Sequence, residues 1–220
     1  MGGGARTRRA ARALVAAGRR LQAGGLAAAA EGNLSLRLEP DRLLITPAGA
    51  RKGELRVRDL VTVRFEGMEW EVARAAPGRR PSSEIGLHLA LYRRTGIAAV
   101  VHVHPPHATA FAAAGRSLDP AALAEQALIL GEIPLLGFAP PGTPAVAALV
   151  TGLPPDNRAF LLAGHGAVTV GRDLEEAVLR MEALEACARI SLLARLLEPG
   201  AALPGEALAA LRSAGGTGGR

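Results

Sequence analysis

The sequence predicts one α/β domain with a mixed sheet, and three observations lead to this prediction. The chain has 220 residues, of which 49% are hydrophobic, so it can build one substantial core. Segments with strand patterns alternate with segments with helix patterns, without an internal repeat or a long linker. Hairpin-like strand segments near the N-terminus indicate that the sheet is mixed rather than purely parallel.

The first part of the chain reads as a helix followed by several strands. Residues 5–30 have a helical pattern that breaks or frays at Gly24 and Gly25. Two short strands follow in "GNLSLRL" and "RLLITPAG", with Asp41 in the turn between them. The segment "LVTVRFEGMEWEV" has strand character on both sides of Gly67.

A helix is predicted next in "GRRPSSEIGLHLALYRRTG". Ser82 or Ser83 is the expected N-cap, Glu84 favours the positive end of the helix dipole, and Gly96 ends the helix. A strand, "IAAVVHVH", then leads into the helix "PPHATAFAAAG", which opens with proline in its first turn.

The remaining segments alternate in the same way. They are "AALAEQALIL", the strand "IPLLGF", the helix "TPAVAALVTGL", the strand "AFLLAGHGAVTVG" and a long helix from Asp173 to about Leu197. We therefore expect a single domain over residues 1–200. A C-terminal extension covers 201–220, and its Gly-rich end is expected to be disordered.

The positive charge does not indicate a nucleic-acid-binding protein. The net charge is +6, but Lys52 is the only lysine, and the heavy use of Arg, Ala, Gly and Pro fits a GC-rich coding bias as well as a binding surface. Basic residues are interleaved with acidic ones after residue 31, and no stripe of aromatic and basic residues is present. We therefore expect a small-molecule substrate and no nucleic-acid partner.

The N-terminal segment "ARTRRAARALVAAGRR" contains six arginines and no acid, but no serine precedes Ser35. A transit peptide is usually Ser-rich, so an amphipathic first helix with a solvated basic face is the preferred interpretation. The sequence predicts no membrane span and no signal peptide. The single cysteine, Cys187, lies in a helical pattern and is interpreted as a core residue, and we expect a cytoplasmic protein.

Two histidines of "VVHVH" share one face of the predicted strand. Residues two apart on a strand project the same way, so His102 and His104 point together while Val101 and Val103 face the other side. His165, between two glycines in an apolar strand pattern, is the candidate third ligand of a site with an open position. Each of these histidines alone would be interpreted as a hydrogen-bonded core residue, but together they favour a metal site.

Two further histidines have open interpretations. His107, three residues after His104, is expected to support the metal ligands or to be structural. His88 lies four residues after Glu84 on the same helical face, so it either orients that glutamate or lies on the helix surface.

The segment "SSE" places hydroxyls and free backbone N–H groups at a predicted helix start, where an anion such as phosphate can bind. Glu84 would then stand beside the anion as an acid/base residue, although its simpler role is to favour the helix dipole. The breaks "EGNLS" and "ITPAG" at strand ends can likewise present N–H groups to a substrate.

The ordered set "GNLS", "ITPAG", "PSSE", "HVHPPH" and "GHGAVTVG" resembles the class II aldolase/adducin head family over residues 8–198. That family includes fuculose-phosphate and rhamnulose-phosphate aldolases, ribulose-phosphate 4-epimerase and methylthioribulose-phosphate dehydratase. The resemblance implies a three-layer α/β/α sandwich on a mixed, largely antiparallel central sheet. It also implies a cytoplasmic sugar-phosphate enzyme of carbohydrate metabolism that forms a homotetramer with sites at subunit interfaces.

The resemblance also assigns roles to residues of this chain. His102, His104 and His165 correspond to the zinc ligands, and Glu84 corresponds to the catalytic acid/base, which can be a fourth ligand in the resting state. The residues that correspond to the phosphate-binding set are Gly32, Asn33, Gly49, Ser82 and Ser83. Manganese or cobalt could also fill a site of three histidines.

Three departures from the family's pattern bear on the reaction. Ala48 and Ala30 stand where several members have a hydroxyl residue, and the segment "SLDPAALAEQALILGEIP" lacks the tyrosine acid of the fuculose-phosphate aldolases. Tyr92, the only tyrosine, lies elsewhere, so the residue that replaces this acid is left open. The epimerases have aspartate where this chain has Glu84, which disfavours an epimerase.

The resemblance predicts a zinc-dependent lyase of the class II aldolase type. It would cleave or form a carbon–carbon bond in a small hydroxy-ketone or sugar phosphate through a metal-bound enediolate. The alternatives are a dehydratase or decarboxylase that uses the same metal site, or a non-catalytic interaction module like the adducin head. Such a module would not need the three histidines and Glu84.

Overall fold

The computed structural model describes residues 3–197 together with Glu206 and Ala209. Within these residues, eight strands form one sheet and six α-helices cover its faces. The strands are β1 (Asn33–Glu39), β2 (Arg42–Ile45), β3 (Val61–Glu66), β4 (Glu69–Arg74), β5 (Ala99–Val103), β6 (Leu135–Leu136), β7 (Ala159–Leu162) and β8 (Gly166–Gly171). The helices are α1 (Gly3–Ala23), α2 (Ile85–Tyr92), α3 (Pro106–Ala113), α4 (Ala124–Leu130), α5 (Pro144–Leu149) and α6 (Leu174–Leu197).

The strand order across the sheet is β4-β3-β2-β1-β5-β8-β7-β6. Every neighbouring pair is antiparallel except β6 and β7, which are parallel. The predicted mixed, largely antiparallel sheet is therefore confirmed. No helix within the described ranges is long and apolar enough to span a bilayer.

The helices form two layers, one on each face of the sheet. Helices α1, α3, α4 and α6 pack together on one face, and α2 packs against α5 on the other. Two separate hydrophobic clusters fill the spaces between the sheet and these layers. The architecture is the predicted three-layer α/β/α sandwich.

Strand β5 lies in the middle of the sheet and is buried on both faces. Val101 and Val103 pack into the cluster under α1 and α6, while Val100 packs into the cluster under α2 and α5. Burying one valine side chain contributes about 1.5–3 kcal/mol, so the two clusters fix which way each β5 residue faces. His102, two residues after Val100, therefore lies on the α2 face of the sheet.

The first helix is shorter than its sequence pattern predicts. The expected helix covers 5–30, but α1 ends at Ala23. The N–H groups of Gly25 and Leu26 bond back to the carbonyls of Gln22 and Leu21, which closes the helix C-terminus. The chain from there to β1 is a loop, which carries part of the site described below.

The start of α2 also differs from its prediction. Neither Ser82 nor Ser83 is the N-cap, because α2 begins at Ile85 and Glu84 occupies the cap position without a side-chain capping bond. The hydroxyl of Ser82 instead accepts a hydrogen bond from the N–H of Glu84, with an N···O distance of 3.3 Å. Glu84 therefore lies at the cap position rather than in the first turn, where its simpler role as a helix-dipole partner had placed it.

The strand predicted in "AFLLAGHGAVTVG" is two strands. β7 and β8 pair with each other as an antiparallel hairpin, in which Leu162 is opposite Gly166. The residues between them form a tight turn, where the N–H of His165 donates to the carbonyl of Leu162 at 3.0 Å. His165 is thus a turn residue rather than a strand residue.

Candidate metal and anion site

Three histidines converge where the central strands of the sheet end, and they come from two elements that are distant in sequence. His102 lies near the end of β5 and His104 just beyond it, while His165 lies in the turn of the β7–β8 hairpin that flanks β5. One ligand nitrogen from each ring lies within 4.8 Å of the other two. The Nε2 atoms of His102 and His165 are 3.2 Å apart.

Hydrogen bonds orient two of the three rings. The Nδ1–H of His102 donates to the carbonyl of Ala167 at 2.9 Å, and the Nδ1–H of His104 donates to Glu31 Oε2 at 3.2 Å. In a neutral imidazole this leaves the lone pair on Nε2, the atom that faces the cluster. Burial and the neighbouring His102 lower the pKa of His165 to about 4, so its ring is neutral at physiological pH.

Glu84 completes the cluster from the start of α2. Its Oε2 lies 3.2 Å from Nε2 of His102, and its Oε1 lies 3.5 Å from Nε2 of His165. Burial by itself raises the pKa of this carboxyl. The contact with His102 and the hydrogen bond from the amide of Asn33 outweigh burial, so the pKa of Glu84 lies well below its usual range.

A buried chain of polar side chains contacts Glu84 through Asn33. The amide of Asn33 donates to Glu84 Oε2 at 2.7 Å, and its carbonyl oxygen is 2.5 Å from Nε2 of His88. Nδ1 of His88 is in turn 2.6 Å from the hydroxyl of Ser35, which is 2.7 Å from the hydroxyl of Tyr92. His88 is fully buried, so its interpretation as a helix-surface residue is wrong, and it acts on Glu84 through Asn33.

Two glycines allow this close packing. A Cβ at Gly166 would lie 2.4 Å from Cδ2 of His104, and a Cβ at Gly32 would lie 2.6 Å from the carbonyl oxygen of His102. Only a residue without a side chain fits at these two points. Asn33, directly after Gly32, is paired with His102 across β1 and β5, which brings the loop before β1 to the histidines.

The donor set fits a divalent metal ion. Tetrahedral Zn²⁺ with bonds of about 2.0–2.1 Å separates its nitrogen ligands by about 3.3 Å, close to the distance between His102 and His165. Nε2 of His104 and Oε1 of Glu84 are buried and form no hydrogen bond with any described residue. Such orphaned buried atoms are rare in native proteins unless an ion or water engages them.

The residues of the predicted phosphate set lie on loops at the same end of the central strands as the histidines. The loop after β2, which carries Gly49, is bonded to the segment before α2: the N–H of Ala48 donates to Arg80 and the N–H of Ser82 donates to Thr46. Ser82 is buried, whereas Ser83 is exposed beside the loop that contains Gly142. Both polar ends of the Asn33 side chain are engaged by Glu84 and His88.

His107 does not join the cluster. Its Nδ1 lies 2.7 Å from Glu185 Oε1, and Glu185 also accepts the N–H groups of His107 and Ala108 at the start of α3. His107 was expected either to support the metal ligands or to be structural. This contact is structural, because it joins α3 to α6.

The sequence analysis did not identify Glu31. Its carboxylate reaches Nδ1 of His104, although it is half exposed and 73 positions away in sequence. Its position directly before Gly32, in the break "EGNLS", was the available signal.

A family model described as "Class II Aldolase and Adducin N-terminal domain" matches residues 12–192. The chain belongs to the class II aldolase/adducin family. The resemblance seen in the sequence is thereby confirmed. Among solved structures, an L-fuculose 1-phosphate aldolase superimposes on this class II aldolase/adducin chain with a TM-score of 0.84 and 29% identity, covering 94% of this chain and 95% of the other.

Two curated relatives of this family member have names that describe different reactions. A "3-oxo-tetronate 4-phosphate decarboxylase" of Escherichia coli (strain K12) is 38% identical over 172 residues, covering 76% of this chain and 78% of the relative. A "methylthioribulose-1-phosphate dehydratase" of Sodalis glossinidius (strain morsitans) is 36% identical over 198 residues, covering 84% of this chain and 96% of the relative. Both names describe phosphorylated small-molecule substrates. They favour the decarboxylase or dehydratase alternative over the aldol reaction that was the main expectation from the sequence.

Proposed function

We propose that this chain is a metal-dependent decarboxylase of a phosphorylated 3-oxo sugar acid. The observation that carries the proposal is the 38% identity to the 3-oxo-tetronate 4-phosphate decarboxylase of Escherichia coli. The absence of a tyrosine between Ser117 and Pro134 agrees with it. An aldol reaction has to move a proton on or off the oxygen of the aldehyde carbon, whereas loss of CO₂ involves no such proton transfer.

The chemistry of a 3-oxo acid explains what the site has to do. The bond between C1 and C2 breaks, CO₂ leaves, and the electron pair stays on C2, from which it is delocalised onto the C3 oxygen. A proton must then be added at C2 to give a hydroxy ketone phosphate. The enzyme therefore has to stabilise negative charge on oxygen and deliver one proton.

His102, His104 and His165 would hold the divalent metal, with Glu84 as a further ligand at rest. When bound, Zn²⁺ or another divalent ion supplies Lewis-acid stabilisation of the charge that develops on substrate oxygens. The Nδ1–H contacts of His102 and His104 fix the ligand nitrogens, and Glu31 keeps the second ring in its orientation.

Glu84 is the residue that we assign to proton transfer at C2. The Asn33 amide and the neighbouring imidazoles keep its carboxylate ionised at rest. It must therefore take up a proton, from solvent or substrate, before it can deliver one. The phosphate of the substrate is assigned to the loops that carry Gly32, Gly49 and Ser83, beside the metal ligands.

The proposal predicts a specific result for Glu84→Gln, which keeps the size of the side chain but removes its acid/base function. The three histidines remain, so the metal should stay bound, whereas kcat should fall by about 10²–10⁴ because the intermediate formed by loss of CO₂ no longer receives its proton from Glu84. In D₂O the wild type should add deuterium to one face of C2, and the variant should lose this preference. CO₂ release, metal content and product analysis measure these effects, with the exposed Glu132→Gln as a matched control.

A substrate panel tests the reaction class. We expect metal-dependent CO₂ release from 3-oxo-tetronate 4-phosphate and slower or no release from the unphosphorylated acid. If the purified metal-loaded protein cleaves aldol substrates and releases no CO₂, the decarboxylase assignment is wrong. A folded protein without stoichiometric metal or any turnover would instead support the non-catalytic adducin-head-like module.

A methylthioribulose-phosphate dehydratase is the second candidate. The relative of that name in Sodalis glossinidius matches more of this chain, 84% against 76% for the decarboxylase. A dehydratase must remove a proton from carbon before hydroxide leaves, so Glu84→Gln would abolish the first step and substrate–solvent hydrogen exchange with it. Loss of water from methylthioribulose 1-phosphate, without CO₂ release from the sugar acid, would establish this alternative.

A further inference from the structure

Lys52 is the only lysine of the chain, and its side chain is buried, with 1% of the residue exposed. It begins a short 3-10 turn, Lys52–Glu54, which follows the loop after β2. Its Nζ donates to the carbonyl of Ala50 at 2.6 Å and to the carbonyl of Ala30 at 3.1 Å. None of the reaction steps assigned above uses this ammonium group.

A buried lysine without an ion pair is unusual, because the charge loses its hydration on burial. No carboxylate of the described residues forms an ion pair with Nζ, and Glu31 acts on it only from a distance. Burial therefore dominates and lowers the pKa of Lys52 to about 8. Only backbone carbonyls satisfy the group, which points to a role in holding those carbonyls.

The two carbonyls belong to two of the loops assigned to the phosphate, those that carry Gly32 and Gly49. Ala30 lies two residues before Gly32 in the loop between α1 and β1, and Ala50 directly follows Gly49 in the loop after β2. The N–H groups of Gly32 and Gly49 form no hydrogen bond with another described residue. Two free donors thus lie on loops that one buried cation joins.

We propose that Lys52 is a positioning residue of the phosphate pocket: its Nζ ties the Ala30 and Ala50 loops together and places a positive charge behind them. This inference rests on the phosphate-binding part of the proposed function. The contact sets the separation of the two loops before the anion arrives, so that binding does not have to order them. The charge also favours an anion on the outer side of the loops, because the interaction of a buried charge with a nearby anion is little screened by salt.

The first experiment compares Lys52→Met with Gln22→Ala in the metal-loaded protein. Methionine keeps the length and burial of the side chain but removes its charge and donors. Gln22 is the matched control, since its side chain anchors the same 3-10 turn through the N–H of Gly53 at 2.6 Å and forms no hydrogen bond with Ala30 or Ala50. The probe is inorganic phosphate, titrated calorimetrically, with melting temperature and metal content measured alongside.

We expect Lys52→Met to weaken phosphate binding by about tenfold or more, the size of one charge-assisted hydrogen bond. It should raise KM for the phosphorylated substrate with little change in kcat, and metal content should stay at the wild-type value. Gln22→Ala should bind phosphate normally. Wild-type affinity in folded Lys52→Met overturns the inference alone, whereas a wild type that binds no phosphate overturns the phosphate pocket of the proposed function as well.

A second measurement uses only the wild type and so does not depend on the folding of a variant. Acetic anhydride modifies neutral amines, and Lys52 is the only side-chain amine, so mass spectrometry of the peptide that contains it reports a single site. Phosphate should slow this modification, and the effect should saturate as the site fills, because bound phosphate keeps the two loops packed over Nζ. An unchanged rate at saturating phosphate would overturn the inference.

Discussion

The close contact between Gly166 and His104 predicts the effect of one added methyl group. In Gly166→Ala the new Cβ would lie 2.4 Å from Cδ2 of His104 and 2.9 Å from the carbonyl oxygen of Val103, whereas ordinary contacts begin at 3.4 Å. The Val103 carbonyl belongs to the central strand β5, so the imidazole has to move, by about 1 Å. Metal–ligand distances tolerate only about 0.2 Å, and His104 should therefore be lost as a ligand.

The assay for Gly166→Ala is a metal titration with a competing chelator. We expect affinity to fall by at least about 10- to 100-fold, the range observed when a side chain that orients a ligand is lost. Gly152→Ala is the matched control, because no atom lies within 4 Å of a Cβ built there. If Gly166→Ala is folded and binds metal as tightly as wild type, His104 is not a ligand in this geometry.

Two further predictions concern residues that touch the site indirectly. Glu31→Gln removes the charge that accepts the Nδ1–H of His104, so metal affinity should fall by about tenfold; an unchanged affinity would show that this half-exposed contact does not orient the ring. Burial lowers the pKa of His88 to about 3 from its usual 6.5, so the unfolded chain binds more protons between these values. Stability should therefore be fully present above about pH 6.5 and be lost as pH falls toward about 3. His88→Gln should show a smaller loss over that range, measured by urea unfolding, and an identical slope would refute this origin of the acid sensitivity.

The fold was predictable to the extent that it depends on local patterns. The strand period places Val101 and Val103 on one face of β5 and His102 on the other. In the structure Val101 and Val103 lie in one hydrophobic cluster, and Val100, on the same face as His102, lies in the other. Helix α1 ends at the break predicted at Gly24 and Gly25, but its continuation to residue 30 was wrong. The alanine-rich segment after Gly25 favours helix by composition, whereas the bonds of Gly25 and Leu26 close the helix before it.

The site was predictable in its residue types but not in its connections. Glu84 was predicted as the acid/base of the site, with a helix-dipole partner as its simpler role, but its contact with Asn33 could not be predicted because it depends on how β1 packs against α2. His165 was placed in a strand because apolar residues flank it on both sides, and only the pairing of Leu162 with Gly166 requires a turn. Glu31 and Lys52 act across distances in sequence that no local pattern encodes.

The residues of the cluster come from chain positions between Glu31 and His165, on the loop before β1, the start of α2, the end of β5 and the β7–β8 turn. No fragment of the chain that lacks one of these elements holds the complete set, so the cluster forms only after the central strands have paired. Closing such long loops is slow relative to local helix formation. Metal capture is therefore expected to be a late event of folding, and its rate in a refolding experiment would report completion of the sheet rather than formation of any single element.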